Sequence, residues 1–562
     1  MTRAAARGYH RAVVRSCPPV VATLSAALGA ALVAAAAGGC FERGGKPAPA
    51  GEGTARRDAG AGGAAGAGWL VRDPDGAPDP AATLTLALEA EPATLDVFAS
   101  ADLAMARVTG DVYEGLLCAP PHAEPAPCLA VRHEVEDGGR TWRFWLRPGV
   151  TFHDGAPLTA ADVLASVRAP GQGAQARGPL AAVLDDLVAA EAPAPDQIVL
   201  RFATARASRA RDLTLLPVAP AARIGDGSLA GAAIGTGPLA LTRWRRGEAL
   251  ELERYPAYWG PPAAAARIHH RVVADRAEAL RLVAAGAIDV VLQVPPAEAE
   301  RATAGGGGGT VRFRYEQPAF LAAVYNARRP ALASPIVRRA LTALLDREGV
   351  ARAVLGGARV PSGPWPPGSR EADPELRPVP FDRALAARLL GDLRPAVELL
   401  VPQGSTSAAR IADVWAADAR GLATISVVSV PFAELLGRLA AGEFDVAITS
   451  MSGGPDVDLW SRLSSRAPPS EAWCGLADPA LDELLEAHRD AADAAARVAA
   501  ARALHRRLDE LAAMAFIAVD TRAGVARADV GGLVGRGAPR PRALWRRAAG
   551  ASSPARGGPG RP

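Results

Sequence analysis

Residues 137–163, DGGRTWRFWLRPGVTFHDGAPLTAADV, change their hydrophobic period partway along, and that change dictates a local architecture. Trp142, Phe144 and Leu146 alternate with Thr141, Arg143, Trp145 and Arg147. Successive side chains of a strand leave on opposite faces, so this part reads as a half-buried strand. Pro148-Gly149 then turns the chain. Thr159 stands where an N-cap belongs, with Asp162 three residues on, a spacing that lets each side chain satisfy a free backbone N–H and open a helix. Strand, turn and helix in succession make a unit that any α/β protein can carry.

Taken residue by residue, FxLRPGVxFHDGxPLTAxDV resembles the signature segment of the family 5 extracellular solute-binding proteins, the receptors of peptide and nickel ABC importers. The resemblance runs in consistent order over residues 83–535. Residues 83–88 (TLTLAL) read as a first strand, and Glu91-Pro92-Ala93-Thr94-Leu95-Asp96 resembles the family's PxTLDP with Val97 in place of proline. Asp111-Val112-Tyr113-Glu114-Gly115-Leu116-Leu117 resembles its YEGL helix, and residues 197–202 read as a strand. Gly235-Thr236-Gly237-Pro238-Leu239-Ala240 fits GxGxxA, a minimal dinucleotide fingerprint. However, Pro238 lacks an N–H for a phosphate, and the next residues alternate as a hairpin where a helix is required. The same residues, through Tyr258-Trp259-Gly260, resemble the family's GTGPYxLxxWxxG segment.

One pattern occurs twice: residues 281–292 and 438–448 each read as a helix end, a glycine fit for a left-handed cap, and a short buried strand. Ser334-Pro335 and Asp478-Pro479 open helices through an N-cap and a proline in the first turn. Residues 494–514 read as a long helix and 516–520 as a last strand. The resemblance implies an α/β, two-lobed periplasmic-binding-protein fold, type II-like, with mixed sheets and an extra subdomain in the first lobe. The expected segments are a signal with lipobox (1–40), a tether (41–80), lobe I (81–108 and 230–320) and its additional subdomain (109–229). Lobe II (321–504), a return to lobe I (505–535) and a disordered basic tail (536–562) complete the chain.

The amino terminus bears on where such a chain works. Arg3, Arg7, Arg11 and Arg15 precede residues 20–37, which are apolar or small apart from Thr23 and Ser25, and Gly38-Gly39-Cys40 closes the run. A basic start, an apolar run and a small-residue exit read as a secretory signal. Cys40 at the exit points to a lipobox, with the cysteine acylated and the exported protein lipid-anchored to a membrane on the periplasmic side of the cell envelope, although Ala37 stands where leucine is usual. Cleavage after Ala35-Ala36-Ala37 and an uncleaved transmembrane helix are the two other readings of the run. The following Gly-, Ala- and Pro-rich residues cannot bury a core and form a flexible tether.

Net charge is +4, from 63 basic and 59 acidic residues, and the arginines are dispersed among Asp and Glu, so no nucleic-acid footprint exists. Cys118 and Cys128 bracket the Pro-rich loop APPHAEPAP in an exported protein, where a disulfide would add about 3 kcal/mol. No CxxC, GxSxG, HExxH or GxxxxGK[ST] occurs, and His269-His270, adjacent on a strand, face opposite ways and cannot easily share a metal. The expectation is therefore a binding protein with no catalytic residues, metal or cofactor. An exported hydrolase on the same scaffold and a ligand sensor without a transport role are the rival readings.

Ligands of open α/β sheets meet the carboxyl ends of strands. After a strand at residues 444–449 come Ser452, Gly453, Gly454, Pro455, Asp456, Val457, Asp458 and Trp460. They resemble the family's ADYxDPxxFL motif, whose first aspartate anchors a peptide's α-ammonium. Gly453 falls at that anchor and Asp456 at the second acidic position. A buried ammonium without a carboxylate costs several kcal/mol. Either Asp456 or Asp458 takes over, then, or the ligand is not a peptide with a free amino terminus. Trp365 and Trp460 are the aromatic candidates, and Tyr325 and Asn326, at the entry to the second lobe, complete the set. The implied partners are a small peptide-like solute, the permease and ATPase subunits of an importer, and a membrane through the lipid anchor. The protein is expected to act as a monomer and to bind no nucleic acid.

Overall fold

Apolar runs without alternation make strands that are buried on both faces, and such runs build most of one large sheet. The computed structural model describes residues 72–548 except 101, 119–124, 172–179, 207–208, 305–308, 453–456, 458, 492 and 535–536. Within them a ten-stranded sheet contains β1 (Thr83–Leu88), β2 (Leu239–Arg245), β3 (Ala249–Arg254), β4 (Arg267–Val272), β5 (Val290–Val294), β6 (Thr310–Tyr325), β7 (Ala396–Pro402), β8 (Thr424–Val430), β9 (Val446–Ser452) and β10 (Met514–Arg527). Their order across the sheet is β8-β7-β9-β6-β10-β5-β1-β4-β3-β2.

The sheet divides into two lobes. On one side β1 pairs parallel with β4 and β5, with Leu84, Leu86, Leu88 and Ile268 packed on one face and Ala87, Val283 and Val291 on the other. On the other side β7 pairs parallel with β8 and β9, and Leu399 and Leu400 enter separate cores on opposite faces. The long antiparallel strands β6 and β10 belong to both lobes. Their ladder breaks where the lobes meet: Glu316 pairs Thr521 and Phe320 pairs Val519, leaving three residues of β6 opposite one of β10. Pro318 lies in that bulge and has no N–H to offer a ladder.

The opening sequence segment builds a four-stranded antiparallel sheet, in the order Ala130–Glu136, Thr141–Leu146, Gln197–Phe202 and Leu187–Ala194. Trp142, Phe144 and Leu146 face its core, and the helix Ala160–Arg168 covers it. The Asp162 carboxylate accepts the Thr159 backbone N–H at 2.9 Å, as the capping spacing predicts. His153 of the same segment joins this subdomain to lobe I: its Nε2 is 2.9 Å from the Gly237 carbonyl, and Gly235 N–H donates to Nδ1 at 3.4 Å. A Cβ on Gly235 would sit 2.1 Å from the Val112 carbonyl oxygen, and one on Gly237 2.4 Å from that of Asp111. These glycines therefore serve backbone-to-backbone contact and no phosphate.

Two expectations need correction. The YEGL segment is not helical: helix α1 (Leu103–Thr109) ends before it. The Glu114 carbonyl instead accepts from Val218 N–H at 2.9 Å and the Leu116 carbonyl from Cys128 N–H at 3.1 Å, so the segment is bonded sideways into the subdomain. Residues 537–548 of the basic tail pack on lobe I, where they neutralise buried acids. Arg540 pairs with Asp111 at 2.9 Å, Arg546 pairs with Asp289, and Trp545–Arg546 add a strand to Val530–Gly531.

Candidate functional site

The carboxyl ends of β1 and β5 meet beneath α1, beside the break in β6. A cavity lies there, with apolar walls from Leu86, Leu103 and Leu292 and polar groups from Arg107, His270 and Tyr315. Three elements aim those polar groups inward. Arg107 projects from α1, and its ion-pair partner Glu89 is 3.9 Å away, too far for a hydrogen bond. His270 lies on the inner face of β4, is 2% exposed, and its Nε2 has no hydrogen-bond partner. Burial, helped by the nearby Arg107 charge, lowers the His270 imidazole to about 4, so the ring is neutral.

The third element is a bulge in β5 between Val291 and Val294. It holds Gln293 at φ +55°, a left-handed conformation that costs a non-glycine residue about 1 kcal/mol or more. The twist points Gln293 N–H at the Tyr315 hydroxyl, 3.1 Å away. That hydroxyl acts as acceptor there and keeps its own proton for another group. Gln317, in the bulge of β6, closes the cavity on the side of the second lobe.

A second cavity lies on the far side of α1, against the subdomain, and is lined by Met105, Tyr113, Glu114, Leu180 and Leu215. Glu114 is buried there and accepts from Tyr258 Oη (2.8 Å), Trp259 Nε1 (2.9 Å) and Thr236 Oγ1 (3.0 Å). Burial outweighs these donors and pushes its carboxyl above the usual range. Cys118 and Cys128 lie close by, but their sulfurs are joined in a disulfide with a Cα–Cα distance of 5.4 Å, so the trio offers no thiolate to a metal.

The residues singled out in the sequence fall at different depths. Tyr325 is fully buried with its hydroxyl 2.9 Å from Thr342 Oγ1. Asn326, also fully buried, donates its amide to the carbonyls of Gly442 (3.1 Å) and Phe444 (2.9 Å), tying β6 to the segment before β9. Trp365 is 1% exposed and packs between His488 and His505 in the second-lobe core. Trp460 is half-buried, with the Arg489 guanidinium 4.8 Å over its ring.

Ser452 ends β9 opposite Ala319, two residues from Gln317. Gly453, Asp456, Asp458 and Cys40 lie outside the described residues. Arg107, His270, Tyr315 and Gln293 carry no motif. The one signal for them was the adjacency of His269 and His270, since alternation on a strand must turn one of the two inward.

A family model described as "Bacterial extracellular solute-binding proteins, family 5 Middle" matches residues 124–468. Protein XP55 of Streptomyces lividans is 29% identical over 426 residues, covering 71% of this chain and 76% of that protein. A probable di/tripeptide-binding protein 5 of Pseudomonas aeruginosa (strain UCBPP-PA14) is 28% identical over 467 residues, covering 73% of this chain and 84% of its own. Among solved structures, NikA from Brucella suis in complex with Fe(III)-EDTA has the same fold, with a TM-score of 0.73 at 24% identity over 83% of this chain and 100% of that one.

Proposed function

Because the chain belongs to family 5 of the bacterial extracellular solute-binding proteins, we propose that it is the receptor of an ABC importer, capturing a small peptide-like solute by closing its two lobes and delivering it to the permease. The observation that carries this reading is the hinge. Among the described residues, β6 and β10 are the strands common to both lobes, and their ladder is interrupted beside the polar cavity. Rotation about a few unpaired residues moves two packed cores without disturbing either. A relative named as a di/tripeptide-binding protein favours peptides as the class of cargo, with Asp456 or Asp458 meeting a ligand ammonium in place of the anchor lost at Gly453. Acylation at Cys40 would keep the receptor beside its permease, since each buried CH2 contributes about 0.8 kcal/mol.

Titration of the full chain with di- and tripeptides and nickel chelates tests the reading by two readouts. A ligand at a hundred times its dissociation constant should raise stability by about 2.7 kcal/mol. It should also lower the radius of gyration in solution scattering. Identical scattering profiles at saturation, or chemical conversion of the bound solute, would overturn it.

A further inference from the structure

We propose that the cavity beneath α1 is an anion subsite that seats a carboxylate of the solute, so that this receptor selects ligands by their acid end from lobe I. The inference rests on the receptor reading and adds to it which group of the ligand is recognised, and where. The groups that face the cavity are mostly donors. Arg107 supplies a guanidinium whose described acidic partner, Glu89, stays beyond hydrogen-bond distance at 3.9 Å. The Tyr315 hydroxyl already accepts from Gln293 and has a proton to give. His270, 2% exposed, has a ring nitrogen with no partner, and burying a polar atom unpaired is unfavourable unless a ligand satisfies it.

The other acid that lines the cavity, Asp111, is already neutralised by Arg540 at 2.9 Å and accepts the Arg542 backbone N–H at 2.9 Å. Its charge is therefore balanced by Arg540 while its Oδ1 accepts no hydrogen bond among the described residues, and the other polar groups, Arg107, Tyr315 and His270, favour an acceptor. A planar carboxylate matches a guanidinium with two parallel hydrogen bonds and leaves lone pairs for Tyr315 and His270. Leu86, Leu103 and Leu292 would cover the apolar carbons next to it.

The position fits a ligand that spans both lobes. Gln317 lines the cavity, and Ala319, two residues on in β6, pairs with Ser452 at the end of the second-lobe strand β9.

Calorimetric titration of the full chain with N-acetylated di- and tripeptides, each as free acid and as C-terminal amide, tests the inference. The free acid should bind at least about tenfold more tightly than its amide. Arg107→Gln should bring the two within about twofold of each other by weakening the acid far more than the amide, with the melting temperature unchanged. His270→Asn serves as a second variant and should weaken the acid more than the amide. Equal affinities for acid and amide, or a preference that survives Arg107→Gln, would overturn the subsite and leave the receptor reading standing. Binding only of cationic or uncharged solutes would do the same. If no solute of any class binds, the receptor reading falls together with the subsite.

Discussion

Glu114 is enclosed, yet three donors reach its carboxyl group, and they are not equivalent. Trp259 Nε1 and Thr236 Oγ1 meet one oxygen, whereas the other faces the Tyr258 hydroxyl, which can accept as well as donate. A protonated acid fits this arrangement, in keeping with the upward shift that burial imposes. Since the folded pKa is raised above the unfolded value of about 4.3, this group's contribution is complete below that value and shrinks as pH rises through the folded pKa. Glu114→Gln reproduces the neutral form, with its NH2 towards Tyr258. It should match or exceed the parent's melting temperature at neutral pH and show a weaker pH dependence. Glu114→Ala strands the Trp259 and Thr236 donors and should cost about 2–4 kcal/mol. Thermal unfolding over a pH series reads both variants, and a steeper slope for the glutamine protein would contradict the assignment. His153 acts in the opposite sense. Burial lowers its imidazole to about 4, and the neutral ring alone can accept Gly235 N–H at Nδ1 while donating to Gly237. Its contribution is complete above the unfolded value of about 6.5 and is lost as pH falls towards 4. His153→Gln, with one donor and one acceptor, should soften the acid-induced fall in melting temperature across that window.

At the scale of elements, the FHDG turn, the GTGP loop and the YEGL segment, distant in sequence, form one joint. Gly237→Ala would place a methyl group 2.4 Å from a backbone oxygen, which cannot swing aside as a side chain would. A loss of about 2–4 kcal/mol in denaturant unfolding is expected, with subdomain and lobe I separating first under limited proteolysis. An unchanged midpoint would mean that the backbone of residues 111–113 yields. Much of this level is legible in the chain itself. Strands Thr83–Leu88 and Gln197–Phe202 follow from their apolar runs, the Leu239–Arg245 and Ala249–Arg254 hairpin from alternation, and both helix–glycine–strand units from Gly286 and Gly442, found at φ +76° and +70°. Long-range pairing is what the chain does not announce. Asn326 looks like a cleft residue until its amide is seen bonded to carbonyls 116 and 118 positions away. The donors of the candidate site come from α1, β4, β5 and β6, each a single residue without local context. Only the sheet order brings them together.

For the molecule as a whole, residues 537–548 act as a strap across lobe I. Residues 537–548 look too thin in apolar content to fold, yet they bring arginines to two acids that other elements bury. Asp111 receives Arg540, Arg542 and a backbone N–H, and Asp289, which also accepts Thr85 N–H at 2.7 Å, receives Arg546. Leu544 seals the same core, and Pro78 bridges to Arg547, so the start and end of the described chain are held against one another. Removing one partner of a buried pair leaves an uncompensated charge, at a cost of about 3–5 kcal/mol. A chain cut after residue 536 should therefore unfold at a much lower denaturant concentration, whereas one cut after residue 548 should match the full chain. Arg540→Gln and Arg546→Gln, each expected to lie between those limits, keep the test meaningful if the shorter chain fails to fold. Because the strap also borders the cavity through Pro539 and Arg540, its removal should weaken any solute that binds there, beyond the change in stability. Equal midpoints for all of these proteins would mean that the strap merely lies on the surface.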